Sequence, residues 1–568
     1  MKTMKKYILM FVVGCLGLTS CIGDLDTMPL DDNNLVTEKV YSSREGYMGV
    51  LAKCYASLIL TGQQGGDGGD PDLVNANEGY SGYTRLLFYL QELNTDNFLM
   101  PSSSNGLRNC LNLNWNATTS VVTWTFQRLY MAIAYCNEFL RECTPEKMQE
   151  RGVWDAMSAD YLTLRAEARF IRAYCYSMLC DLYGNVPIID ENDPVGVKDF
   201  LPVQVSRKEV FEYVESELKA ILGETGSTDE LLKKSRQNEY GRVDEVAAWF
   251  LLSRMYLNAE VYTGQARWDD CLTYADKIIT GGDYRLASDY RHIFLADNET
   301  CTEIIWPLVQ DGDHAQSSAG TNFYVKAFVN GPMDELYQTG VGSRGWGNVR
   351  SKTTLVDAFD PADVQFDEND TWGNGKNDKR AQFMTALKAD DGTPQTKETW
   401  DANLAMTSTF TCGYGYIKWR NVNKNDDPAD EAYTSIDWPV FRTADAYLMA
   451  AEAILRAGGD RNKALGYVNE VRARAYMSDN YGTNAVSGKI GDGDLTLDFI
   501  LDERQRELAS ECIRRTDLIR FDKFTKGNNW DWKNGERLGS DVDDKYELFP
   551  IPESELTNNP TLKQNPGY

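Results

Sequence analysis

The chain has 568 residues, 42% apolar and 25% charged, enough to bury a large core. Its net charge of −27 repels phosphate backbones and sets nucleic acid aside as a partner. The two histidines, His292 and His314, are not spaced as metal ligands or as members of a triad.

In chain order the first feature is a leader. Lys2, Lys5 and Lys6 precede the apolar run YILMFVVGCLGL, too short to span a bilayer stably. It ends at Leu18-Thr19-Ser20-Cys21, small residues before a cysteine, as in a bacterial lipobox. Residues 1–20 are expected to be a lipoprotein signal peptide, with Cys21 acylated and 21–40 a polar, acidic tether. Residues 41–568 are expected to form one mostly α domain, a helical scaffold of tetratricopeptide-like pairs with long irregular loops and minor β. The scaffold is placed mainly at 41–60, 119–295 and 438–524, and the ligand-binding loops mainly at 61–118 and 300–436.

Three stretches carry the helical pattern. LRAEARFIRAYCYSMLCDLYG puts Leu164, Ala168, Ile171, Cys175, Met178 and Leu182 on one face of a helix that ends near Gly184. The stretch from Gly241 to Tyr284 predicts two helices parted at TGQ and stopped by Gly281-Gly282, the first apolar nearly all round and therefore buried. FRTADAYLMAAEAILRAGGDRNKALGYVNEVRARAY predicts two more, hinged at Gly458-Gly459. Further on, LDFILDERQRELASECIRRTDLIRF predicts one salt-bridged helix with Glu511 and Arg515 at i,i+4. The cysteines beyond Cys21 lack CxxC or zinc spacing and read mostly as small buried hydrophobes, with disulfide pairing left open.

Catalytic signatures are scarce. GVGSRG at 340–345 matches G-x-G-x-x-G, but no strand pattern precedes it and no helix pattern follows. HExxH, GxSxG and the P-loop are absent, so no catalytic residue is assigned and no cofactor is required. FDENDTWGNGKND has the oxygens but no glycine at the sixth position of an EF-hand loop, and Asp297, Asn298 and Glu299 in LADNETCTE are a possible structural calcium turn set against the commoner reading of solvated turn acids.

Binding has better candidates. A sugar docks its C–H face on an aromatic ring while polar side chains fix its hydroxyls. Trp346 lies between Gly345 and Gly347 with Arg344, Asn348 and Arg350 close by; Trp372 stands beside Asn374, and Phe323-Tyr324 in GTNFYVKAF. The competing reading of Trp346 is a ring folded back to plug its own loop. Trp124 and Trp249 lie in helical patterns and belong to the core.

Together the lipobox, RAEARFIRAYCYSMLCDLYGNVPI, YRHIFLADNETCTEIIWP, FRTADAYLMAAEAILRAGGD, DERQREL, RRTDLIRF and YELFPIPESELTNNPTLKQNPGY resemble the SusD/RagB family, in order along the chain. The resemblance implies a surface-exposed outer-membrane lipoprotein of Bacteroidetes. Such a protein binds a glycan, caps a SusC-like TonB-dependent transporter and has no catalytic activity. TGQQGGDGGDPDLVNANEGYSGYTRLLFYLQELNTDNFL is similar to the matching part of the family's starch-binding founding member. On that likeness Arg85, Asn105, Trp346 and the Phe323-Tyr324 pair fall where sugar-contacting groups lie, with Arg350 and Trp372 as further candidates. DNFLMPSSSN departs from the pattern: Met100 and Ser102 replace a Trp-x-Trp platform, which removes half of a starch-fitting arc. Calcium binding by some members adds weight to the 297–299 turn. The alternatives are an oligopeptide-binding, RagB-like lipoprotein and a glycan-cleaving enzyme, the latter needing two carboxylates across a cleft.

Overall fold

The computed structural model describes residues 37–62, 79–100, 102, 104–197, 199–226, 229–329, 339–340, 345–364, 377–384, 414–429, 432–478, 482–483 and 488–568. Cys21, Arg344, Trp372 and Asn374 lie outside the described residues, as does the side chain of Asn105.

Twelve helices build the frame: α1 (Arg44–Ala56), α2 (Tyr83–Gln91), α3 (Ser120–Glu142), α4 (Tyr161–Leu182), α5 (Arg207–Ile221), α6 (Glu245–Leu257), α7 (Trp268–Asp276), α8 (Gly320–Lys326), α9 (Thr443–Ala457), α10 (Arg461–Ala475), α11 (Leu497–Leu508) and α12 (Arg514–Arg520). Their starts follow local chemistry. Ser206 and Glu209 close a capping box on α5, and Asp244 and Asp460 accept backbone N–H groups at the heads of α6 and α10. The helices pack as neighbouring pairs: α3 on α4, α4 on α5, α6 on α7, and α9 on α10 and α11. The α4 periodicity holds, with Leu164, Ala168, Ile171, Cys175 and Leu182 buried and Met178 at the margin.

Strands are short ties between loops. In β1 (Phe98–Leu99) and β3 (Arg350–Ser351), Phe98 pairs with Ser351 and Leu99 with Arg350. In β2 (Ile304–Leu308) and β4 (Trp438–Arg442), Ile304 pairs with Arg442 and Leu308 with Trp438. One large apolar cluster runs through the scaffold, and a smaller one joins α9, α10 and the start of α11.

The segment 497–521 corrects the expectation of one helix. It breaks at 509–513, where Ser510 and Cys512 take φ of 67° and 62°. Glu511 and Arg515 therefore do not pair. Glu511 instead meets Lys418 at 2.5 Å and Arg442 at 2.6 Å, and Arg515 donates to the Glu547 carbonyl at 2.6 Å. The charges are interior rather than a solvated face. Glu507 accepts from Arg442 at 2.7 Å and Arg380 at 3.1 Å and also pairs with Arg474; Glu503 accepts from Arg380 at 2.7 Å and Arg472 at 2.6 Å. Burial works to raise the Glu503 carboxyl, but the guanidiniums of Arg380, Arg506 and Arg472 outweigh it and hold it at about 2. The described cysteines are all buried free thiols.

Candidate functional site

The site grows from both ends of α8. At its head, the 79–82 turn presses on Ala319 so closely that a Cβ on Gly82 would stand 1.9 Å from the Ala319 Cβ. Only glycine allows that approach, and it sets Tyr80 and the first turn of α2 against α8. Arg85 leaves that turn with its guanidinium carbon 4.1 Å from the Tyr80 ring centroid, 4.9 Å from Phe323 and 5.5 Å from Trp346. Its Nε donates to the Tyr89 hydroxyl at 2.6 Å. Burial pushes the Tyr89 phenol up to about 12 against the pull of Arg85, so the hydroxyl stays neutral. A cation among ring faces gains electrostatically once it is desolvated.

At the tail of α8 the orphan carbonyls of the last turn need donors. The loop that carries Trp346 supplies them: Trp346 N–H donates to the Lys326 carbonyl at 2.6 Å, and Asn348 and Val349 N–H both donate to the Ala327 carbonyl at 2.9 Å. Gly347, at φ 61°, makes the bend between them. The Trp346 ring lies 6.4 Å from Phe323, tilted by 50°, and stays 40% exposed. It is neither packed away nor free: one part rests on Phe323 and Arg85, and the rest faces outward.

Several expected contacts do not reach this surface. Phe323 and Tyr324 are both fully buried, so neither offers a face to a ligand. Phe323 packs on Phe88 at 5.2 Å, and Tyr324 donates its hydroxyl to the Thr84 carbonyl at 2.8 Å. Arg350 is buried in β3 opposite Leu99. Arg85 is present at the site but only 5% exposed, held beneath the rings. Met100 is fully buried and supplies no platform at the position where the arc is missing. In the 297–299 turn, Asn298 donates to the carbonyls of Ile293 and Asp437, both at 2.8 Å, and accepts from Asp437 N–H at 3.0 Å. Its amide is thus engaged with the backbone, and no group of three or more His, Cys, Asp or Glu able to hold a metal occurs among the described residues.

Tyr80, which joins the site, is not among the residues expected from the sequence. The criterion that singled out Trp346, an aromatic ring flanked by glycines outside a helical pattern, also selects Gly79-Tyr80-Ser81-Gly82.

A helix-pair scaffold that displays a half-exposed ring over a caged guanidinium, on loops tied to helix ends, defines the class. Family models described as "SusD family" and "Starch-binding associating with outer membrane" match residues 302–568 and 73–257. The starch-binding protein SusD of Bacteroides thetaiotaomicron is 34% identical, over 97% of this chain and 96% of its own. Among solved structures, a SusD-like protein of Bacteroides fragilis superposes with a TM-score of 0.66 at 21% identity, covering 95% of this chain and 100% of that one. Surface glycan-binding protein A of Bacteroides uniformis gives 0.63 at 22%, covering 92% and 99%. The chain belongs to the SusD family.

Proposed function

We propose that this protein is a non-catalytic, lipid-anchored outer-membrane lipoprotein. In this reading it captures a glycan at the cell surface and passes it to a SusC-like TonB-dependent transporter. The observation that carries the reading is Trp346, 40% exposed, fixed by backbone hydrogen bonds to the end of α8 and underlaid by Arg85. An exposed ring with a cation below it suits the C–H face of a sugar. The starch-binding relative makes an α-glucan the first ligand to try, while buried Met100 argues for a shallower fit than a full arc of rings. Among the described residues, the clustered acids Glu303, Glu503 and Glu507 are wholly buried in ion pairs.

The test is calorimetric titration of the mature chain with starch and with a panel of other plant, host and microbial polysaccharides, beside Trp346→Ala. Loss of binding by tenfold or more, with the melting temperature unchanged, supports the reading. Equal binding by both proteins moves the site elsewhere, and release of new reducing ends would make the protein an enzyme.

A further inference from the structure

Two of the hollows bordered by described residues have linings that do not include Trp346. Two adjoining hollows, of about 720 and 500 Å³, share Tyr130, Ala134, Ile189 and Pro202 and form one groove along α3. Its floor takes Phe126, Tyr130, Ala134, Asn137 and Arg141 at steps of four, four, three and four, one face of the helix. The stretches 193–197 and 199–203 overhang it. Pro194 and Pro202 keep these stretches out of helix and sheet, and they leave Val195 69%, Val197 54%, Leu201 37% and Val203 69% exposed. Four of the seven large apolar side chains that the described residues leave exposed thus fall within nine residues. A cluster of this kind marks a contact, whereas scattered apolar residues do not.

The start of the described chain says what the contact is. Tyr47 donates its hydroxyl to the Glu142 carbonyl at 3.2 Å, and Arg151 lies over the Tyr41 ring at 5.2 Å while pairing with Glu142. The groove's end at Glu138 and Arg141 is therefore within one turn of α3 from the place where the N-terminal segment joins the scaffold. From Thr37 back to Cys21 is a run of 16 residues. Sixteen residues can span at most roughly 55 Å even when fully extended. An acyl anchor on Cys21 would hold this corner of the molecule near lipid. The groove's chemistry agrees. Its end charges are paired, Arg141 with Glu138 at 3.0 Å, and the Tyr130 hydroxyl is taken up by the Pro187 carbonyl at 2.6 Å, so the Tyr130 ring lines the groove as apolar surface. Lys53, 4.3 Å above the Tyr135 ring, can lay its stem along apolar surface while its ammonium stays in water.

We propose that the α3 groove and its valine-bearing overhang are a lipid-contact surface, seated on the outer leaflet beside the anchor. The inference rests on the anchored placement proposed above. The test uses the acylated mature protein in phosphatidylethanolamine–phosphatidylglycerol vesicles. Val195→Cys, Val203→Cys and, on exposed α10, Asn462→Cys are each labelled with an environment-sensitive fluorophore. Since the described native cysteines are buried, the added thiol dominates labelling, and the unsubstituted protein gives the background. Lipid-borne quenchers are expected to cut the emission at 195 and 203 at least twofold and to leave 462 unchanged, with iodide giving the reverse order. Val195→Asp with Val203→Asp is expected to lower the floated fraction of a protein whose melting temperature is unaltered. Protein that floats while 195 and 203 remain open to iodide overturns the lipid surface and leaves the anchor standing. Shielding of 195 and 203 that requires a second protein, or rises with protein concentration without lipid, overturns it in favour of a protein partner or a second copy. Protein that does not float at all removes the anchored placement and this inference with it.

Discussion

α2 is buried throughout and α11 along one face, and they solve burial in opposite ways. α2 is sheathed in rings: Phe88 meets Phe98, Phe323, Tyr324 and Phe328, and its one cation, Arg85, is wrapped by aromatic faces. α11 is sheathed in charge, with Glu503 and Glu507 each meeting several guanidiniums. The ring sheath reaches the surface at Tyr80 and Trp346, so it can lend a cation and a flat face to a ligand. The charge sheath is closed around Glu503 and Glu507, whose carboxylates already have their partners. One region brings rings and a cation to the surface, and the other holds its charges inside.

The comparison breaks hardest at Glu507. Glu507→Ala leaves Arg380, Arg442 and Arg474 short of an acceptor in a dry interior, at a cost of ~3–5 kcal/mol. Calorimetric melting is expected to show a fall of several degrees, with glycan affinity in the surviving fold unchanged. A variant that melts like the parent would show that the network is not structural.

pH separates the two regions next. Glu503, held at about 2 in the fold, contributes stability that is full above its ordinary value of 4.5 and lost as pH falls from there toward 2. Glu92, at the end of α2, runs the other way. Burial pushes its carboxyl up to about 8, so its contribution is full below 4.5 and lost as pH rises through 8. Melting temperature against pH is expected to decline on both flanks, and Glu92→Gln is expected to flatten only the alkaline one.

Smaller effects belong to the surface. Arg85→Met keeps the stem and removes the cation, and is expected to weaken glycan binding about tenfold, close to the ~1–2 kcal/mol of a desolvated cation–π contact. Tyr80→Ala, tried last, is expected to weaken binding roughly threefold, or ~0.6 kcal/mol, through a looser Arg85. If Tyr80→Ala matched Trp346→Ala, Tyr80 would itself be a platform.

Most of the helical frame is legible in the sequence because burial there follows a simple period, as along α4 and across the Gly458-Gly459 hinge. The break between α11 and α12 is not, since Ser510 and Cys512 hold positive φ without being glycine and no local signal marks them. The candidate surface is legible only at its ends. Trp346 stands out by its glycines. Phe323 and Tyr324 mislead because adjacent residues on a helix point about 100° apart, and both of those faces of short α8 are covered, one by α2 and the other by Trp419 and Trp438. Arg350 misleads because its polar neighbours suggest a loop, whereas pairing with Leu99 draws it inside.

The way the 346–349 loop is fastened has an evolutionary corollary. Its grip on α8 runs through main-chain N–H groups donating to the Lys326 and Ala327 carbonyls, and those bonds are indifferent to the side chain they carry. Position 346 is in effect a socket. Selection could exchange the tryptophan for tyrosine, histidine or a polar residue while the mounting stays intact, so new ligand preferences could be explored one substitution at a time without re-evolving the support.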